Sequence, residues 1–232
     1  MSSVEMKNVS RIYRSGGLEI KAIDSLDLKI EAGEFTVIAG PSGSGKSTLL
    51  NLAGGLDRPS DGEVFLDGGL LNDKSDDQLT RQRLFKVGFI FQAYNLIPVL
   101  TAWENIQFIL QMQGIQESEH EKRIRPLLEE LGLNGLEHRK PAELSGGQQQ
   151  RVAVARAVIG QPSIILADEP TANLDSETAV SLLSLMRRLN QEQKVTFLFS
   201  SHDPMVIDKA CRVIRLHDGR IAEDLKKTTG LT

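Results

Sequence analysis

A single cysteine, Cys211, leaves no internal disulfide possible and points to a reducing compartment. Long apolar runs are also missing. No stretch approaches the roughly eighteen uninterrupted apolar residues of a membrane-spanning helix. None opens the chain between Met1 and Ser10 as a secretory signal would. By itself the chain is expected to be soluble, with any membrane attachment made through another subunit. A surplus of positive charge is absent too, since 27 Lys and Arg face 31 Asp and Glu for a formal net charge of -4. Phosphate-backbone binding needs a concentrated basic face, so no nucleic-acid partner is expected. Internal repeats and low-complexity linkers are lacking. The 232 residues, 40% of them hydrophobic, suffice for one large domain with a smaller insertion.

What is present is ordered by hydrophobic period. Residues 4–9 and 22–30 alternate polar and apolar at the strand period, and 34–39 is a short apolar run ending at Gly40. Residues 47–53 carry helical spacing, while 63–66 and 87–91 read as further strands. The middle differs. Thr101-Ala102-Trp103-Glu104 has capping-box spacing, and Ile124, Leu127, Leu128 and Leu131 repeat helically, so 101–158 is expected to be mostly helical. Pro126 inside that pattern suggests a local break or a first-turn position. Alternation then returns: strands at 164–167 and 195–199, an amphipathic helix at 177–189, and a hairpin of 213–216 with 220–222 around Asp218-Gly219. This order predicts an α/β chain, a parallel-sheet core with a helical insertion.

Three motifs carry chemistry. The loop Gly40-Pro41-Ser42-Gly43-Ser44-Gly45-Lys46-Ser47-Thr48 matches G-x-x-x-x-G-K-S between a predicted strand and helix. Its glycines let backbone N–H groups turn inward as an anion nest, and the helix adds its positive end. Lys46 should reach the β- and γ-phosphates of ATP, and Ser47 should hold Mg²⁺. A Gly/Ser-rich surface turn would leave the apolar strand before it and Lys-Ser-Thr after it unexplained. Next, the apolar run 164–167 ends in Asp168 and Glu169, which suits a Mg²⁺-linked acid and a base polarising water. Two such acids at a strand end, taken alone, are more often merely solvated. Last, Leu144-Ser145-Gly146-Gly147-Gln148 begins a helical run with Ser145 as N-cap, and by itself it is only a helix start.

In this order the three motifs resemble the ATP-binding cassette (ABC) ATPases, across nearly the whole chain from about residue 4 to 222. The resemblance implies a P-loop NTPase, ABC-type ATPase core with an antiparallel β subdomain and an inserted helical subdomain. Residues 1–232 would form one such domain, with about 93–158 as the helical part and about 1–92 and 159–232 as the β subdomain plus RecA-like core. It further implies that Tyr13 stacks on adenine and that Gln92 contacts Mg²⁺ and the partner subunit. Asp175 of Asn173-Leu174-Asp175 would lie at a dimer contact, and His202 would touch the γ-phosphate. Taken singly, Tyr13 and His202 would be ordinary packing or structural residues.

Finer similarity is to the lipoprotein-release and macrolide-export (LolD/MacB) branch. It is carried by residues 54–57, 94–98, 101–105 and 167–171. Ala172 departs from that branch's frequent glycine, Ser200-Ser201 from the threonine usual before the histidine, and no paired histidines follow Gln92.

The family's mechanism places Ser145, Gly146, Gly147 and Gln148 on ATP held by the loop of a second copy. Glu169 would polarise water while His202 and Gln92 sense the γ-phosphate. A homodimer, integral membrane permease subunits and a peripheral place on the cytoplasmic face of the membrane are implied by the same resemblance. Tyr94, Leu96, Ile97 and Trp103 would either line a docking groove or belong to the core. Chromosome-type or DNA-repair relatives carry long coiled coils or zinc cysteines, which are missing here. A regulatory ATPase controlling a membrane partner without transport would need the same residues.

Overall fold

The computed structural model describes residues 2–227. Its elements run β1 (Ser2–Ser15), β2 (Leu18–Glu31), β3 (Phe35–Ala39), α1 (Lys46–Ala53), β4 (Asp61–Leu66), β5 (Gly69–Leu70), α2 (Asp76–Lys86) and β6 (Val87–Ile90). They continue as α3 (Ala102–Met112), α4 (Glu117–Glu130), a 3-10 turn (Pro141–Glu143), α5 (Gly146–Val158), β7 (Ile164–Ala167) and α6 (Ser176–Gln193). The last are β8 (Thr196–Ser201), α7 (Pro204–Lys209), β9 (Arg212–His217) and β10 (Arg220–Lys226).

Two sheets result. One is antiparallel in the order β2-β1-β4-β5; the other has the order β10-β9-β3-β8-β7-β6. In the second sheet β9, β3, β8, β7 and β6 all run parallel, and only β10 is antiparallel. The period-two alternation of these buried strands divides the core. Val37, Ala39, Ile165, Ala167, Phe197, Phe199 and Val213 face the layer of α3, α4, α5 and α6. Their neighbours Ile38, Ile164, Leu166, Leu198 and Ile214 face α1 and the antiparallel sheet. Both faces are covered, so the strands read as unbroken apolar runs. Phe35 packs between Phe197 and Phe199 at 5.6 and 4.9 Å, each ring burial worth roughly 1.5–3 kcal/mol.

Helix starts reflect local chemistry. Thr101 caps α3, its hydroxyl accepting from the Glu104 amide while the Glu104 carboxylate accepts from the Thr101 amide. That interaction also holds the Glu104 carboxyl below the usual carboxylate range. One expectation needs correction. Pro126 lies inside α4 and the helix runs through it, because Ile124, Leu127 and Leu128 around it are buried and hold the helix in place. Helix α2 has no counterpart in the sequence pattern, because only Leu79 of it is buried and its face is almost wholly polar. Its one legible signal is the capping box of Ser75 with Gln78. Short α7, begun by Asp203 and Pro204, is likewise an addition of the structure.

Candidate functional site

Strands β3, β6, β7 and β8 are parallel and nearly in register at their C-terminal ends, where Ala39 pairs Ser201, Ile90 pairs Ala167 and Ala167 pairs Phe199. The loops leaving these strands therefore emerge together at one edge. That edge is a cleft of about 780 Å³ lined by Pro41 to Gly43, Gly45 to Thr48, Gln92, Asp168, Glu169 and His202. Ligands of open α/β sheets bind at this edge for the same topological reason.

The loop between β3 and α1 is built for an anion. Gly45, at φ 103, precedes α1, and no side chain caps that helix, so its first N–H groups are left for a ligand. A Cβ at Gly45 would strike the Ala22 carbonyl oxygen, so the close approach of loop and β2 admits only glycine. The Lys46 ammonium donates to the carbonyls of Gly40 (2.8 Å) and Pro41 (3.0 Å), which leaves a third N–H donor for a phosphate oxygen. Ser44 Oγ is buried with no protein partner.

Opposite the loop stand the two acids. Glu169 has φ 46, in the left-handed region that L-residues seldom occupy. His202 Nδ1 donates to Glu169 Oε1 at 2.9 Å. Ser200 Oγ donates to Asp168 Oδ1 at 2.6 Å and accepts from the Glu169 amide at 2.9 Å. The Gln92 carbonyl accepts from Asn173 Nδ2 at 2.9 Å. Beyond it Tyr94 and Asn95 also sit at positive φ, and the half-buried Arg156 donates to both their carbonyls. Burial lowers the Arg156 pKa.

Among the described residues no three His, Cys, Asp or Glu side chains gather into a metal cage. Ser47, Gln92 and Asp168 instead bring oxygen donors to the cleft of the phosphate loop. That donor set fits Mg²⁺, which keeps octahedral oxygen geometry and takes few protein ligands beside phosphate.

Not every expected residue lines this cleft. Ser145, Gly146, Gly147 and Gln148 lie elsewhere, with Ser145 capping α5 through the Gln148 amide. A Cβ on Gly146 would sit 2.9 Å from the Tyr94 hydroxyl, and one on Gly147 would meet Thr178. Asp175 caps α6, accepting from the Thr178 amide, which lowers its pKa. Tyr13 lies outside the lining: its hydroxyl donates to Asp57 at 2.7 Å and Arg11 lies over its ring. Its cross-strand partner Ile20, with Lys21, Ala22 and Asp218, lines the cleft without any sequence motif to mark it. Ser200 and Arg156 are also roles that sequence reasoning missed. The available signal was a serine closing an apolar strand and an arginine amid the apolar face of α5.

A second concavity, of about 340 Å³, opens between α2, β6 and α3. Leu56, Phe89, Phe91, Ile97 and Phe108 supply apolar lining, and Arg156 lines it as well. Ile97 is thus a groove residue, whereas Leu96 and Trp103 pack against the core.

Residues 23–172 match the family model described as ABC transporter. A lipoprotein-releasing system ATP-binding protein of Anaeromyxobacter dehalogenans is 43% identical over 223 residues, covering 96% of this chain and 93% of that one. A macrolide export ATP-binding/permease protein of Hyphomonas neptunium is 45% identical over 221 residues, 95% of this chain but only 34% of the longer relative. Among solved structures, a dimeric ATP-binding cassette in a post-hydrolysis state with ADP and Pi superposes with a TM-score of 0.90 at 44% identity. It covers 97% of this chain and 99% of that one.

Proposed function

The chain belongs to the ABC transporter family, and on that premise we propose that two copies sandwich Mg-ATP between them, each lending what the other lacks. It is an ATP-binding and ATP-hydrolysing subunit of that transporter type. One observation carries the two-copy reading. Loop, acids, glutamine and histidine share one cleft, whereas Ser145 to Gln148 lie outside it, at the start of α5. The dimeric assembly of the solved relative supports it.

Within each half, Lys46 and the N–H groups of the loop hold the phosphates, and Ser47, Asp168 and Gln92 hold Mg²⁺. When bound, the ion neutralises phosphate charge. Glu169 accepts a proton from the attacking water, oriented by the Nδ1–H of His202. The opposing Ser145, Gly146 and Gly147 meet the far side of the nucleotide, and Asp175 lies at the seam. Residues 93–158 act as a helical subdomain that carries these signature residues.

The dimer's cycle energises export or extraction of a substrate through separate membrane permease subunits. No helix of the described residues is long and apolar enough to cross a membrane. We place the chain peripherally, on the cytoplasmic face, with the groove at Ile97 and Phe108 seating a permease segment. The fused permease named in the macrolide-export relative supports such a partner. A photo-crosslinking residue at Phe108 should capture an integral membrane polypeptide, identified by mass spectrometry. Capture of none, with folded protein present in the membrane fraction, would remove the docking assignment.

A further inference from the structure

Strand β8 is apolar along its middle, Phe197, Leu198 and Phe199 being fully buried, yet its last two residues are Ser200 and Ser201, fully buried as well. A hydroxyl in such a place costs free energy unless it is hydrogen-bonded. Both bonds of the Ser200 hydroxyl run to the site. Its O–H donates to Asp168 Oδ1 at 2.6 Å, and its oxygen accepts the Glu169 amide at 2.9 Å. Ser201 next to it has a different task, since its oxygen accepts from the Asp203 amide within the turn that begins α7.

One atom thus touches both carboxylate-bearing residues. The bond to Oδ1 fixes the plane of the Asp168 carboxylate, and with it how that group presents to the cleft. The bond from the Glu169 amide secures a residue held at φ 46, a left-handed conformation that L-residues other than glycine seldom adopt. Were Ser200 only satisfying a buried amide, the contact with Glu169 would suffice. The short bond to Asp168 satisfies the buried hydroxyl's own donor and at the same time links the two acids.

We infer that Ser200 is a positioning residue that locks the metal-facing Asp168 and the base Glu169 into one rigid unit. The inference rests on the roles assigned to those two acids above. Hydrogen-bond partners of metal ligands are worth roughly 10- to 100-fold in metal affinity or activity, because they fix ligand orientation. Ser200 does not itself touch nucleotide.

The test uses the full chain and the variants Ser200→Ala and Ser200→Thr. Affinity for a fluorescent ATP analogue is titrated with and without Mg²⁺, beside steady-state hydrolysis and thermal unfolding. Ser200→Ala should bind nucleotide normally without Mg²⁺ and lose most of the gain in affinity that Mg²⁺ confers. Its kcat should fall about 10- to 100-fold, with KM for Mg-ATP raised in step with the lost Mg²⁺-dependent affinity. Ser200→Thr, which keeps the hydroxyl, should recover most of both. Wild-type Mg²⁺ dependence and kcat in Ser200→Ala would overturn the inference. So would a Ser200→Thr no better than Ser200→Ala, or a nucleotide affinity lost without Mg²⁺ in step with the melting temperature. Glu169→Gln run in parallel separates the levels. If it hydrolyses ATP normally the assignment of the base has failed, and if it is dead while Ser200→Ala is normal only the role of Ser200 has.

Discussion

Glu169 shows how much a single residue's chemistry depends on where the backbone turns. It stands at positive φ with its carboxylate 2.9 Å from His202 Nδ1, and it lines the cleft together with the phosphate loop. Glu169→Gln keeps the shape and removes the proposed base. Hydrolysis should fall by about 10²- to 10⁴-fold while ATP affinity holds, and with Mg-ATP the protein should elute earlier as a trapped dimer. An unchanged hydrolysis rate would take the base role from it. Lys46 acts on binding instead. Lys46→Ala removes a buried ammonium, and by calorimetry ATP affinity should drop about 10- to 100-fold, the worth of one or two charge-assisted hydrogen bonds. Normal affinity would count against the loop. Both residues were singled out from sequence and both line the cleft, because a phosphate loop and an acid pair after an apolar strand have spacings that follow the ligand. For Tyr13 the sequence shows the aromatic but not its setting, in which the hydroxyl donates to Asp57, forty-four positions away.

At the scale of elements, strands and capped helices came through because their signals are local. The capping box at Thr101 marks α3 with no help from the rest of the fold. Helix α2 did not come through, since a helix with one buried side chain carries almost no periodic signal. The hairpin of β9 and β10 is joined by Arg212, which pairs with Asp224 at 2.7 Å and with Glu34 at 2.7 Å, so its guanidinium pKa is raised and the Asp224 carboxyl is lowered, chiefly by its bond to Arg212. A carboxyl with a lowered folded pKa stabilises above its unfolded value of about 3.9 and loses that contribution as pH falls through the folded value. Wild type should therefore be more stable than Asp224→Asn near neutral pH. The gap should close in strong acid, as read from urea unfolding at a series of pH values. A gap independent of pH would mean that the ion pair is not its source.

For the whole molecule, the decisive fact is the separation of the signature from the cleft. Ser145→Arg puts a long cation where a second copy would meet nucleotide. Each monomer should still bind ATP with affinity near wild type, while hydrolysis falls to background and no ATP-dependent dimer appears in light scattering. If monomer binding vanished as well, Ser145 would be acting within its own chain. Mixing Ser145→Arg with Lys46→Ala sharpens the test. Such a pair can form one composite site with an intact loop and an intact signature, whereas neither variant alone can.

The sequence by itself determined the phosphate loop, the acid pair, the signature helix start and the division into strand-rich and helix-rich stretches. Each of these rests on contacts between residues close along the chain or on spacing set by a ligand. Only the tertiary structure decided which of those motifs share a cleft. Parallel pairing of β3, β6, β7 and β8 carries their ends to one edge, while the helix begun by Ser145 faces Tyr94 and Thr178 instead. It also decided that Ser200 bridges Asp168 and Glu169 and that Arg156 clamps Tyr94 and Asn95. Those contacts join residues 31 to 62 positions apart, and no local period or spacing encodes a meeting that only the register of neighbouring strands and helices brings about.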